Sequence, residues 1–466
     1  MKDILEAIRD RAKEKGLDFM DIRFVEKDST SIQLQDGKAD RVFYGRSAGI
    51  GIRVILNGAW GFATTDRITL ENARECLALA VSMAEASRER GSTVNVTRVS
   101  PVIDTVKAKS GIDPRLVSFE EKMERVVMLE SEARKVSPDK ISNTILGYGD
   151  SWCREIVCNS FGTLVESESV RTHISITVVA KDGTLRQSAS EHEAIQGGFE
   201  LIRNLSPQDF SIKAAKRAIA LLSAKRAPSG VFPCILHPDI VGLFVHEALG
   251  HNAEADSVMA GVSILEGKIG QKIASELITI VDDPTVEGLW GSYKYDSEGV
   301  PGKRKVLVEN GVLKEYMHSL ETACKFKSEP NGSARAQDFN CRPIVRMSNT
   351  SILGGNHSYE ELIKSIEHGI LLSKGLGGYV DPTKGQFTFR AGEGWFIRKG
   401  EIAEQIRDVS MSGILLETLK DIDGVSTEYV PDTLKGGMCG KGGQMMYVGA
   451  GGPYVRVKKL IIGGQE

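Results

Sequence analysis

The chain has 466 residues, of which 41% are hydrophobic and 26% charged, with a formal net charge of −3. That length allows a substantial core and points to two or three domains. There is no basic excess to favour nucleic acid and no like-charged block to form a solvating tail, and no apolar run approaches the ~18 residues needed to span a bilayer.

The opening stretch, MKDILEAIRDRAKEKG, sets Ile4, Leu5, Ile8 and Ala12 on one stripe. This predicts an amphipathic helix rather than a signal peptide, so a cytoplasmic location is the default expectation. Strands are expected in DIRFVEK, SIQLQDG, RVFYG, GIGIRVILNG and AWGFATT, and a helix over ENARECLALAVSMAEA, where apolar positions recur at helical spacing. Residues 97–117 carry Pro101 and Pro114 among Ser, Lys and Asp and read as a connector. A second unit repeats the order: a helix over SFEEKMERVVMLESEARKV, strands in ISNTILGYGD, REIVCNS, GTLVESES and THISITVVAKDG, and a helix over DFSIKAAKRAIALLSAKRA. Ser118 and Glu121 have the spacing of a capping box for the first of these helices. An N-terminal α+β region of two helix-strands-helix units (about 1–96 and 118–226) is therefore expected, with a boundary at Ala227-Pro-Ser-Gly.

From 227 to 466 the pattern changes. A short strand, VFPCILH, leads to Pro238, which starts a helix through DIVGLFVHEALGH. Beyond it lie many short strand candidates with glycine turns, including KVLVENG, FTFRAGEGWFIRKGEIA and YVRVKKLIIGG. This predicts a β-rich, barrel-like domain carrying one important helix, and an α+β class for the whole.

Chemistry concentrates in HEALGH, residues 246–251. The zinc-hydrolase signature places its histidines four apart on one helical face. His246 and His251 are five apart, so in a regular helix they diverge by roughly 140°. A π-bulge, or a break at Gly250, brings them towards one point. The preceding helix is apolar almost all round, which predicts burial of His246 and Glu247; a buried carboxylate needs compensation, and a bound cation would supply it.

Two histidines leave a catalytic zinc one protein ligand short. Glu254 is one candidate for the third; His237, His318, His357 and His368 are weaker ones, each better read as an ordinary core or surface histidine. Cys439, in GGMCGKGGQ, is the stronger candidate, because no apolar periodicity explains it as packing and the flanking glycines permit close approach. The other six cysteines (Cys76, Cys153, Cys158, Cys234, Cys324 and Cys341) show no Cys-x-x-Cys spacing and are expected to be reduced. Gly436-x-x-x-Gly440-Lys441-Gly442 lacks the spacing and the Ser/Thr of a phosphate loop.

With HEALGH and GMCGKGGQ together, the chain resembles the TldD/PmbA family, more closely its TldD branch. The resemblance runs through GIGIRVILNGAWGFATT, SARAQDFNCRPIVRMSNTSI, GQFTFRAGEGWFIRKGEIAEQIRD and the closing CGKGGQMMYVGAGGPYVRVKKLIIGG. The PmbA-like branch lacks the His-Glu-x-x-x-His element, so that element is specific. The resemblance implies a cytoplasmic zinc metallopeptidase (Zn2+, one per subunit) with His246, His251 and Cys439 as metal ligands. Glu247 would be the general base acting on a metal-activated water. It also implies unfolded or modified peptides as substrates, and a homodimer or a heterodimer with a PmbA-like paralogue. On this reading Glu254 and Asp256 orient a ligand or the loop rather than bind the metal. Tyr447 stands where related sequences often have proline. Arg335, Arg346 and Tyr447 are possible oxyanion donors, with surface ion pairing the favoured role for the two arginines. The rival reading is a non-catalytic binding or scaffold subunit of a peptidase complex, which has no need of Glu247.

Overall fold

The computed structural model describes residues 1–88, 93–381 and 383–464. Its N-terminal half is built on one seven-stranded sheet. The first helix, α1 (Lys2–Glu14), buries Leu5, Ile8 and Ala12, the stripe expected from its periodicity. Strands β1 (Phe19–Gln35), β2 (Lys38–Leu56) and β3 (Ala59–Thr65) follow as a meander, then α2 (Leu70–Ser87), β4 (Ile103–Val106), α3 (Phe119–Lys135), β5 (Ile141–Asn159), β6 (Leu164–Asp182) and β7 (Leu185–Ile195).

Two differences from the sequence reading, in strand continuity and in the connector, have physical causes. The paired candidates DIRFVEK/SIQLQDG and RVFYG/GIGIRVILNG are single strands, because the polar residues between them stay in the ladder: Asp28, Ser29 and Thr30 of β1 pair with both β2 and β5. The two helix-strands-helix units share this one sheet, since β1 pairs with β5 along most of its length, giving the order β3-β2-β1-β5-β6. The connector holds a strand, β4, which pairs in parallel with β6.

Side chains alternate between the faces of a strand. The even-numbered residues of β1 face the helices: Ile22, with Ile52 and Ile156, packs in one cluster with α1 and α2, and Ile32, with Leu146 and Ile174, packs in another with α3 and the helix Lys213–Ser223. Odd positions carry Asp21 and Arg23, which are nevertheless buried. They face the C-terminal half: Arg23 donates to the Asp338 carbonyl (3.2 Å), and Arg53 bridges Asp21 and Glu298. Ser118 caps α3 by accepting the Glu121 N–H (3.1 Å), but Glu121 pairs outward with Arg203, so the cap is one-sided.

The C-terminal half is a twelve-stranded sheet. Five of its strands, Gly230–Leu236, His368–Asp381, Gln386–Arg398, Val409–Ile414 and Gly449–Gly464, pair in turn, and the last pairs back with the first. Pro238–Phe244 is the start of the helix expected at Pro238, capped by His237, whose Nδ1 accepts the Asp239 N–H (3.3 Å). It packs on the closing strand so tightly that a Cβ at Gly242 would lie 2.9 Å from the Ala450 oxygen. Phe244 sits against Phe387 and Phe389, with ring centroids 5.3 and 6.4 Å away, and burial of such a ring contributes about 1.5–3 kcal/mol. No helix among the described residues is long and apolar enough to cross a membrane.

Candidate metal centre

The helix begun at Pro238 does not stay regular. It widens into a π-helix over Val245–Gly250 and tightens into a 3-10 turn over His251–Ala253. This resolves the five-residue spacing: the wider turn brings the His246 and His251 rings to 5.2 Å, centroid to centroid, at 80°. Gly250 serves a purpose other than the expected one. Its backbone is ordinary right-handed helix (φ −55°, ψ −51°). What excludes a side chain is space, since a Cβ would stand 1.9 Å from Met347 Sδ.

Cys439 arrives from nearly two hundred residues away, on the hairpin Met438–Lys441/Gln444–Tyr447. Its Sγ lies 3.2 Å from His251 Nε2. The ligand atoms of His246, His251 and Cys439 all fall within 4.8 Å of one another, the one such group of three among the described residues. Donors about 2.0–2.3 Å from a tetrahedral zinc are roughly 3.3–3.7 Å apart, so the cluster has the dimensions of a small-cation site. His246 is buried, and its Nδ1 has no hydrogen-bond partner among the described residues. Burial pushes the Cys439 thiol up, but the two imidazoles outweigh it and bring it down to about 5. A thiolate beside two imidazoles is a donor set that suits zinc.

Glu254 is fully buried and its Oε2 accepts from His251 Nδ1 at 3.0 Å, which fixes the tautomer that turns Nε2 towards Cys439. Burial pushes its carboxyl up; His251, Lys441 and Arg346 overcome this and hold it below the usual range. Burial also lowers the His251 pKa, but Glu254 and Cys439 raise it well above the ordinary value. Lys441 Nζ lies 3.0 Å from Glu254 and 2.6 Å from Asp256. Asp256 contacts the site through this lysine, and burial raises its pKa.

Glu247 is not enclosed as expected. Its side chain is 36% exposed, with Oε2 4.0 Å from His251 Nε2. It lines a pocket of about 240 Å3 with His251, Glu254, Ser257, Val380 and Lys441. Between Ile240 and Gly250 every residue but Glu247 is buried, so Glu247 is the part-exposed position of that stretch.

The two arginines are not surface residues. Arg346 is fully buried and donates to the Cys439 carbonyl and, at 3.1 Å, to that of Gln444. Arg335, also buried, donates to the Met347 and Tyr447 carbonyls at 2.6 and 2.7 Å. The arginines therefore position the hairpin backbone, and the role of Arg346 as a tether of Cys439 had no local signal in sequence. Tyr447 ends the hairpin with its ring against Trp290. The four weaker candidate histidines have their own neighbours away from the cluster: His237 with Asp239, His318 with Thr322, His357 with the Val425 carbonyl, and His368 beside Phe232 and Phe396. All seven cysteines are free thiols.

Comparison with known proteins covers almost the whole chain. Models of the PmbA/TldA metallopeptidase match residues 20–84 (domain 1), 112–222 (central domain) and 229–464 (C-terminal domain). A metalloprotease of Methanothermobacter thermautotrophicus is 41% identical over 97% of this chain and 96% of its own. A zinc metalloprotease TldD homolog of Saccharolobus solfataricus is 31% identical over 97% and 98%. The crystal structure of TldE from Thermococcus kodakarensis has the same fold, with a TM-score of 0.80 at 21% identity over 99% of this chain and all of that one.

Proposed function

Because the chain belongs to the TldD/PmbA metallopeptidase family, we propose that it is a zinc-dependent peptidase acting on unfolded or modified peptides. The observation that carries this reading is the convergence of His246, His251 and Cys439, with a carboxylate beside them at the mouth of a pocket. The His246 ring, His251 Nε2 and Cys439 Sγ would hold the ion. When bound, zinc supplies Lewis-acid polarisation of a water molecule and of the scissile carbonyl.

The remaining chemistry belongs to the chain. Glu247, reached from solvent and close to His251, accepts the proton of the attacking water and returns it to the departing amine, a role that contributes typically ~10²–10⁴-fold. Glu254 holds His251 in the ligand tautomer, and Arg346 holds the Cys439 backbone. The partner is a second copy or a PmbA-like paralogue, a reading supported by the fold shared with TldE.

Glu247→Gln tests the assignment. It is expected to keep the zinc content of the parent while cleavage of an unfolded polypeptide falls by at least ~10²-fold. Equal cleavage by parent and variant would remove Glu247 from the reaction, and metal-free protein with undiminished proteolysis would remove the metal.

A further inference from the structure

A second cavity, of about 180 Å3, lies between the N-terminal sheet and the hairpin that carries Cys439. Lys27, Cys153 and Arg171 line it from β1, β5 and β6; Arg335 and the hairpin residues Met446 and Tyr447 line it from the C-terminal half. Met446 is the register partner of Cys439, so this cavity and the metal centre share one short piece of backbone.

The charges around the cavity are unbalanced. Its carboxylates are already engaged: Glu155 with Arg23 (3.2 Å), Glu168 with Lys107 (2.8 Å), and Asp296 with the backbone N–H groups of Glu298, Val300 and Ala334. Lys294 is likewise paired with Asp104. Three cations are not paired with any carboxylate among the described residues. Arg171 is 7% exposed and donates only to the Trp290 and Ser292 carbonyls and the Ser169 hydroxyl. Arg335 is 6% exposed and donates only to carbonyls, through one terminal nitrogen. Lys27 Nζ lies 5.7 Å from the centre of the Tyr447 ring, which Arg171 also covers at 4.5 Å.

Buried cations without a counter-ion are costly unless a ligand supplies the charge. Burial, helped by the like charges of Arg171 and Arg346, presses Arg335 down to about 10 despite the opposing influences of Tyr293 and the more distant Asp282. A planar guanidinium is matched in shape to a carboxylate.

We propose that this cavity receives a carboxylate of the peptide substrate, either its free C-terminus or an Asp/Glu side chain, between Arg171, Arg335 and Lys27, and so sets specificity. The proposal rests on the peptidase reading for the identity of its ligand, and its test is binding rather than turnover.

The test uses zinc-loaded Glu247→Gln protein and three fluorescently labelled versions of one short unfolded peptide: a C-terminal amide with an internal Gln, the same peptide as the free acid, and the amide with Glu in place of Gln. In an anisotropy titration at least one anionic version is expected to bind about tenfold more tightly than the neutral one, equivalent to about 1.4 kcal/mol. Which version does so tells which carboxylate is read. Adding Lys27→Gln or Arg171→Gln, with folding checked by circular dichroism, is expected to bring that ratio to about threefold or less. Equal affinity for all three peptides overturns the proposal, as does a tenfold preference that survives both substitutions. Failure of the parent chain to cleave even the neutral peptide would instead overturn the peptidase reading and leave the binding comparison intact.

Discussion

Glu254→Gln isolates what a buried charge does for the proposed metal centre. The side chain has no solvent exposure, its Oε2 is 3.0 Å from both His251 Nδ1 and Lys441 Nζ, and its Oε1 lies 4.0 Å from Arg346 Nε. Glutamine is nearly the same size and keeps an oxygen to accept the His251 N–H, so the change removes the charge and leaves the hydrogen bond available. Losing a partner of this kind typically lowers metal affinity ~10–100-fold, or about 1.4–2.8 kcal/mol. Glu254→Ala removes the hydrogen bond as well and takes the carboxylate away from fully buried Arg346 and from Lys441. Lys441 keeps Asp256 at 2.6 Å, so the loss of folding stability should fall at the lower end of the ~3–5 kcal/mol known for broken buried pairs. Zinc competition against a chromophoric chelator gives the affinity, and urea denaturation of the metal-free protein gives the stability. If Glu254→Gln binds zinc within about twofold of the parent, the carboxylate does not tune His251 and the reasoning fails.

Gly250→Ala is expected to destabilise the fold by about 1–3 kcal/mol through overpacking, since the new Cβ would meet buried Met347 Sδ at 1.9 Å, and to weaken zinc binding by displacing His251. Met347→Ala in the same chain should cost less than the sum of the two single changes in urea melts, and strict additivity would show that the two sites do not touch. His318, 3% exposed, is lowered by burial and by Lys303 from 6.5 to about 4. The unfolded chain therefore binds a proton that the folded chain refuses between those values. Stability is complete above about pH 6.5 and falls as pH drops towards 4, by roughly 3 kcal/mol in all. His318→Gln should flatten the pH dependence of the denaturation midpoint in that window, and an unchanged slope would show that His318 is not responsible.

The sequence is informative wherever the relevant partners are close along the chain. Periodicity placed α1 with its buried stripe Leu5, Ile8 and Ala12, Pro238 marked a helix start, and the mismatch between a five-residue histidine spacing and helical geometry required the irregular turn that Val245–Gly250 adopts. It is silent where the deciding contact is remote. Asp28, Ser29 and Thr30 look like a break until β5 supplies a second row of pairings. Arg335 and Arg346 look like surface cations because nothing near them in sequence reveals that they serve the carbonyls of a hairpin about a hundred residues later. Glu247 looks buried because helix composition describes the average face and not a particular position that opens on a pocket.

The same remoteness bears on how the centre forms. In a zinc finger, ligand side chains have little to hold them before the ion arrives, and metal binding is folding. Here the segments that carry the proposed ligands are held in place independently of any ion. The π turn that converges the histidines is pressed against Met347, His251 is oriented by Glu254, and Cys439 sits on a hairpin whose carbonyls are held by Arg335 and Arg346. The core beneath, from Ile240 through Phe244 to Phe387 and Phe389, is one apolar cluster that includes Cys439 but neither histidine. Chelation is therefore expected to leave the chain folded and the cluster assembled, with the His251 pKa raised by Glu254 and Cys439. Metal uptake then displaces a proton from a prepared site, so zinc affinity should rise with pH while the fold of the metal-free chain, followed by circular dichroism, stays intact. A chain that unfolds when zinc is removed would show that the tethers are too weak to hold the ligands unaided.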